Sequence, residues 1–397
     1  MTRLTPRRLW TYVGRRLRLR AYLREPGDGR LRPEIPAHVL LWALLLGQLL
    51  REVSYAGLEA LVRSPARPAL GVSRRFGDDA LAYFTERLAP GPTRAALAAT
   101  LRQAKRNKAF EGSALIGLAL DGTGAGRSTQ ARCPFCHPRR DAEGQLHGHL
   151  HQCCLITVVG TGLTLPFDVD PSGPGDSEYG AGQRLLARAV AAVGRRFADY
   201  VVVDGEFATA PFLHCAGTLG LRVVARLKGN LPELFAAAQA RFAGPPPTQT
   251  CAVGADWVEL WDADDFDPWD TLRWPTVRVL RYRQHKPAGT VVEAYWLTDF
   301  RAQRVSSRTL YRLAKSRWEV ENQGFNEGKA SHGLEHICHH HANSLLIGWL
   351  LALFALTIER LYRLRYLRRG THRPRPAIEF VRLLRLSLGP PRAPDTS

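Results

Sequence analysis

The sequence predicts an α/β fold: a mixed sheet flanked by helices, with a helical region before it and an all-β insertion inside it. Three observations predict this. Apolar stretches such as Val39–Leu50 and Leu81–Leu88, separated by Pro- and Gly-containing turns near 26–29 and 90–92, give residues 1–110 a helical texture. From Ala114 the texture changes to short β-like runs alternating with helical patterns, the signature of an α/β unit. Between about 230 and 300 a Pro- and Trp-rich stretch carries alternating segments with little helical signal.

Taken in order, residues 1–110 hold ten arginines within the first 32 positions, which makes this region a candidate DNA-binding domain, with a solvated basic tail as the alternative for its first twenty-five. Residues 111–229 form the first part of the α/β domain. Its strands are expected at Leu115–Leu120, Cys154–Val159, Leu163–Val169, Tyr200–Val203 and Arg222–Leu227, and its helices at Gln183–Val193 and Ala210–Leu219. Residues 230–300 form the β-rich insertion, with strands at Trp257–Trp261, Thr276–Tyr282 and Val291–Thr298. Residues 301–365 complete the domain through a helix from Ser307 to about Asn326 and a second over His341–Arg365, and 366–397 read as a basic, Pro-rich, partly disordered tail.

An apolar share of 45% and a charged share of 23% are those of a folded protein. The charge balance is unusual: 55 basic against 36 acidic residues leave +19, and only six of the basic residues are lysine. Codon bias can turn lysine into arginine but does not create a net excess. The guanidinium's five-donor fork suits phosphate oxygens, so the partner expected is a polyanion, and DNA first. The longest apolar run, Leu345–Ile358, is shorter than the roughly 20 residues of a membrane span and reads as a buried helix, so no membrane partner is expected. No secretory signal is visible, which places the chain in the cytoplasm, and seven cysteines there read as thiols or metal ligands.

The chemistry gathers at three places. Asp121 ends the run Leu-Ile-Gly-Leu-Ala-Leu-Asp-Gly, and Asp204 ends Tyr-Val-Val-Val-Asp-Gly. Two apolar strands thus deliver one carboxylate each at their C-terminal lip, where ligand sites of α/β sheets lie. The plain alternative is a strand-terminal turn, which Asp-Gly also favours. The third place is the helix from Arg317 to Lys329, on which Arg317 and Glu321 share a face. A surface ion pair would explain that spacing, but Trp318 and Phe325 indicate that the helix packs inward. Glu319 is the alternative glutamate, about 200° around the helix from Glu321.

These segments resemble the DDE transposases of bacterial insertion sequences, in the group with a Tyr-Arg-Glu-Lys signature on its last motif. The resemblance implies a ribonuclease-H-like catalytic domain with a β-rich insertion between the second Asp and the Glu, an order that Ala114–Asn326 shares. Carried over by position, Asp121, Asp204 and Glu321 match the catalytic carboxylates that would hold two Mg2+ ions, with Mn2+ as a substitute, and Arg317 matches the signature arginine. The signature tyrosine would fall at Ala314 and the lysine at Gly328, one residue before Lys329. Arg317 and Lys329 are therefore the candidate DNA contacts, with the departures bearing on how the DNA ends are handled. Two metal ions can activate an attacking oxygen and stabilise a leaving one in phosphoryl transfer. The implied reaction frees a 3′ hydroxyl at each element end and joins it to target DNA, in a homodimer on paired ends. A ribonuclease-H-like nuclease that only hydrolyses, and a non-catalytic DNA-binding descendant of a transposase, are the alternatives.

A second constellation is Cys133-Pro-Phe-Cys136-His137, followed by His147, His149, His151 and Cys153 on one face of an extended strand. Cys133 and Cys136 form a half-site for structural zinc, without a second half-site of standard spacing; a polar loop with buried thiols is the alternative. His332, His336, Cys338 and His339–His341 are assigned to packing or DNA contact. Glu178 and Glu206 are read as solvated or supporting acids near the sheet's active edge.

Overall fold

The computed structural model describes residues 4–369 and 373–389. Among the described residues, seven α-helices precede the sheet, α1 (Pro6–Thr11), α2 (Arg20–Arg24), α3 (Ala37–Leu50), α4 (Tyr55–Arg63), α5 (Arg67–Leu70), α6 (Asp78–Arg87) and α7 (Pro90–Arg106), with a π-helical turn, Tyr12–Arg16, after α1. Their limits follow from local chemistry. Pro36 precedes α3, which stops where Arg51 turns left-handed at φ 63°, and the Ser54 side chain caps α4 by accepting from Gly57 N–H.

The sheet begins with β1 (Gly117–Ser128), β2 (His137–Arg140), β3 (Leu146–Val159) and β4 (Leu165–Ser172). Helix α8 (Glu178–Val193) then crosses to β5 (Tyr200–Val203), and α9 (Ala210–Thr218) crosses to β6 (Arg222–Leu227). In space the order is β4-β3-β1-β5-β6, with the first three antiparallel and β1, β5 and β6 parallel. That order, with helical crossovers only where neighbours run parallel, is the expected ribonuclease-H-like topology. Leu118, Leu120, Val201–Val203 and Val223–Ala225 are buried, as residues of central strands covered on both faces should be.

The chain then forms α10 (Pro232–Ala243), β7 (Gln249–Val253), β8 (Asp256–Phe266), β9 (Val277–His285) and β10 (Val291–Thr298). The strands of the insertion are not a separate sheet. β10 pairs antiparallel with the edge of β6, Tyr295 opposite Leu227, and β9, β8 and β7 follow outward to give ten strands in all. Capturing the exposed edge of β6 satisfies its backbone groups. Helix α10 was not legible against the Pro-rich background, although Pro232 stands in its first turn and alanines fill its middle.

Helices α11 (Ser307–Lys315), α12 (Asn326–His332), α13 (Ala342–Tyr366) and α14 (Ala377–Leu386) complete the chain. By length and composition α13 could cross a membrane, but 89% of its apolar window is buried inside the fold. It packs on α3, α6, α7 and β4, so the N-terminal helices share one core with the sheet. Within the segment read as a tail, α14 is ordered against α13 and α3 through Phe380 and Leu384; residues 370–372 and 390–397 of that segment lie outside the described residues.

Candidate active site

Register places the first two carboxylates. Ala119 pairs with Val202 across the parallel β1 and β5, so Asp121 and Asp204 each stand two residues beyond that pair, on the same face. Asp204 follows the end of β5, but Asp121 does not end its strand as the sequence predicted: β1 runs on to Ser128 because the longer β3 keeps pairing with it past Asp121. Asp204 then opens the short 3-10 turn Gly205–Phe207. At Gly122 a Cβ would collide with the Glu178 carboxylate, whose Oε1 accepts the Gly122 N–H at 3.0 Å. Glycine after Asp121 therefore lets a fourth acid, from the first turn of α8, lie against β1. Sequence reasoning had set Glu178 aside as solvated or supporting.

The glutamate segment is not one regular helix. It turns at Ser316–Arg317 and loosens into a π-helical stretch, Val320–Phe325, before α12 resumes. Three contacts hold the irregularity. Tyr200 Oη and Ser316 Oγ are hydrogen-bonded at 3.0 Å, Gly324 packs on Leu155 and Thr157 of β3, and the Arg360 guanidinium donates to the Gln323 carbonyl and to Glu327. Such stretches leave carbonyls without helical partners, which Arg360 here supplies.

The turn brings Arg317 over the acids. Its Nη1 lies 3.0 Å from Asp121 Oδ2 and its Nη2 2.6 Å from Glu321 Oε1, with the Arg317 side chain only 10% exposed. The guanidinium also stacks over Trp318, 5.0 Å from the ring centre. Lys228, which the sequence did not single out, donates from Nζ to Asp204 Oδ2 at 2.6 Å. Burial, opposed by Arg317 and reinforced by Glu178 and Glu321, raises the Asp121 carboxyl to about 7. Burial also pushes Asp204 upward, but the Lys228 ammonium, the Gly205 N–H and Arg317 together hold it below the ordinary carboxylate range. Glu178 is raised by burial of its carboxyl end and by Glu206 and Asp204 beside it.

Two arginine and lysine side chains thus occupy carboxylate oxygens that a divalent cation would take. The donor set is all oxygen, as Mg2+ requires. Glu319 is elsewhere: it accepts from Thr164 Oγ1 at 2.9 Å and from Gly160 N–H, on the far side of the helix. Lys329 pairs with Glu335 at 2.7 Å.

Among the described residues, the group of His, Cys, Asp and Glu atoms drawn tightly enough to surround one metal ion is a different one: Cys133, Cys136, His151 and His340. The two sulfurs lie 3.6 Å apart, His151 Nε2 lies 3.3 Å from Cys133 Sγ and 3.5 Å from Cys136 Sγ, and His340 Nε2 lies 3.2 Å from both Cys136 Sγ and His151 Nε2. Burial, with His340 beside it, pushes His151 down to about 4, so the ring is neutral near pH 7. His340, assigned from sequence to packing or DNA contact, belongs instead to this cluster. Its neighbours do pack: His332 is buried against Glu359 and Arg51, and His339 binds Glu86 at 2.8 Å. Of the four strand-face residues, only His151 reaches the cysteines; His147 pairs with Asp141.

Fold and site together define a ribonuclease-H-like protein with an acidic centre and a Cys2His2 cluster able to hold a metal ion. No family model and no curated protein matches the sequence. Among solved structures the chain is similar to a piggyBac transposase synaptic complex with hairpin DNA, determined by cryo-electron microscopy. The TM-score is 0.46 and the identity 12%, covering 90% of this chain and 73% of that one.

Proposed function

We propose that the chain is a DNA transposase of the bacterial insertion-sequence type, with Asp121, Asp204 and Glu321 as its catalytic carboxylates. The observation that carries this reading is that Asp121 and Asp204 each follow the Ala119–Val202 pair of adjacent parallel strands by two residues, with Glu321 joined to Asp121 through Arg317. Asp121, Asp204 and Glu321 would hold the Mg2+ ions, and Glu178, which accepts the Gly122 N–H, braces β1 beside Asp121. The ions, when bound, supply the Lewis acidity that makes water and then a 3′ hydroxyl competent nucleophiles. Arg317 and Lys228 neutralise the acids beforehand, and are then free to turn to phosphate oxygens.

DNA fits the charge of the chain. Arg7, Arg8, Arg15 and Arg16 are exposed and line one groove with Tyr362 and Tyr366, so the N-terminal helices offer a phosphate-binding track on the shared core. Action on two element ends calls for two copies of the chain, and we take the working form to be a homodimer on paired ends.

The test is a cleavage and strand-transfer assay with Mg2+ or Mn2+ on labelled duplexes taken from the DNA that flanks the gene, with a supercoiled plasmid as target. The expected result is a cut at the element end followed by a labelled end joined to the plasmid. Cleavage without a joined product would instead identify a hydrolase of the same fold. Specific binding with neither product would identify a DNA-binding descendant.

A further inference from the structure

We propose that Cys133, Cys136, His151 and His340 form a closed structural zinc centre that pins the segment after the glutamate-bearing helix to the far end of the β1–β3 hairpin. Zinc binding stands apart from the transposase reading; only its consequence for Glu321 rests on it.

The donor set has the size of a tetrahedral ion's shell. Zinc at about 2.3 Å from sulfur and about 2.0–2.1 Å from imidazole nitrogen sets edges of about 3.8 Å between sulfurs, about 3.6 Å between sulfur and nitrogen, and about 3.4 Å between nitrogens. The corresponding separations here are 3.6 Å, 3.2–3.5 Å and 3.2 Å. The turn that directs the Cys136 N–H to the Cys133 carbonyl puts both sulfurs on one side of the loop. His340 Nδ1 lies 3.3 Å from Ser128 Oγ, and a proton donated there leaves the Nε2 lone pair facing the sulfurs. Two soft thiolates with two imidazoles in a tetrahedron favour Zn2+ over Mg2+. On binding, each thiol gives its proton to solvent, and the two thiolates balance the ion's charge, which suits a centre in which Cys136 and His151 are buried. Four protein ligands leave no open position, so the role is structural.

The ligands come from three separated places: the loop between β1 and β2, the middle of β3, and the segment between α12 and α13. That last segment already lies on β1. A Cβ at Gly126, where φ is +117°, would approach the Glu335 carbonyl to 2.9 Å and Ile337 to 3.1 Å. An ion would convert this contact into a bond. β1 carries Asp121, and the chain leading to His340 leaves directly from the segment carrying Glu321, so the centre fixes the two halves of the acidic site against each other.

Full-length protein purified without chelator should contain one zinc per chain by elemental analysis. Cys136→Ser and His340→Ala should each reduce that to near zero, His340→Cys should restore it, and Asp121→Asn should leave it at one, which separates this claim from the fate of the transposase reading. Chelator-treated wild type should take up one Co2+ with the intense visible absorption of a tetrahedral thiolate site, so a variant that fails to fold does not decide the matter. Hydrogen exchange should rise over 126–137 and 318–341 when zinc is removed, and far less over α3. Folded protein that takes up neither zinc nor cobalt, zinc unchanged in both Cys136→Ser and His340→Ala, or a native disulfide between Cys133 and Cys136 overturns the centre. Zinc bound with unchanged exchange over 318–341 overturns the pinning.

Discussion

The acidic site lies midway along the β1–β3 ladder and the Cys/His cluster towards its Ser128–His149 end, and the two are organised on opposite principles. In the cluster two cysteines and two histidines bring their donor atoms within 3.2–3.6 Å along five edges, the spacing of one ion's shell. In the acidic site the charges are present first, and the protein answers them with its own cations, Arg317 on Asp121 and Glu321 and Lys228 on Asp204. A structural centre gains from being closed and permanent. A site that must admit a DNA strand gains from counter-charges that can move, because carboxylates left unpaired would repel one another or take up protons. Burial keeps the Asp121 carboxyl up at about 7 even with Arg317 beside it, and the neighbouring acids Glu178 and Glu321 add to the rise.

The comparison is broken most directly at the carboxylates. Asp121→Asn, Asp204→Asn and Glu321→Gln should each lower strand cleavage by on the order of a thousandfold or more, since each removes a ligand whose effect is worth several kcal/mol in the transition state. Thermal stability should hold or rise in Asp121→Asn, whose buried carboxyl is raised, and should fall in Asp204→Asn, which gives up the pair with Lys228. Cys136→Ser should do the reverse, lowering stability strongly and cleavage per folded molecule far less than the acid variants do, by loosening Glu321 against Asp121. Near-normal cleavage by any of the three acid variants would remove that residue from the site.

Arg317 carries the next largest effect. Arg317→Ala strips the counter-charge from Asp121 and Glu321, so divalent ions meet less competition: Mn2+ should bind more tightly than to wild type and raise the melting temperature by more. Cleavage should nonetheless fall by about ten- to a hundredfold, the loss of one charge-assisted contact to a phosphate. Arg317→Lys should recover part of it, because an ammonium keeps the charge without the fork. Unchanged Mn2+ affinity in a folded Arg317→Ala protein would show that the guanidinium does not stand in for a cation.

Much of this was legible in the sequence, for identifiable reasons. Of the two apolar runs ending in Asp-Gly, the one at Asp204 does mark the end of β5, whereas β1 runs on past Asp121 to Ser128 along β3; Arg317 and Glu321, put on one helix face by their spacing, form an ion pair. What could not be read were relations between distant segments. The register of β1 against β5, the approach of Lys228 to Asp204, and the arrival of His340 at cysteines more than two hundred residues earlier depend on sheet order, which no local spacing encodes. The turn at Ser316–Arg317 was hidden because its cause, a hydrogen bond from Tyr200, lies outside the helix. Glu178 was legible as a solvated or supporting acid near the site, but not its contact, because its partner is a backbone N–H exposed to it only by the missing side chain of Gly122.

The smallest effect on cleavage is expected at Glu319, and it separates the two glutamates that the sequence left in competition. Glu319→Ala leaves the Gly160 N–H and the Thr164 hydroxyl without their shared acceptor, which should destabilise the fold by about 1–3 kcal/mol. Cleavage per folded molecule should stay within about twofold of wild type, whereas Glu321→Gln should leave stability and abolish cleavage. Acidity sharpens the contrast. Burial raises the Glu319 carboxyl above its unfolded value, against the bonds from Thr164 and Gly160. Its stabilising contribution is therefore complete below the unfolded value, about 4.3, and is lost as pH rises through the folded one. Wild type should accordingly exceed Glu319→Gln in stability by more at about pH 4 than at about pH 7.5. Denaturant melts of the two proteins at both pH values measure this difference. A gap that widens towards neutral pH would mean that the Glu319 carboxylate is held by its hydrogen bonds more firmly than burial opposes it.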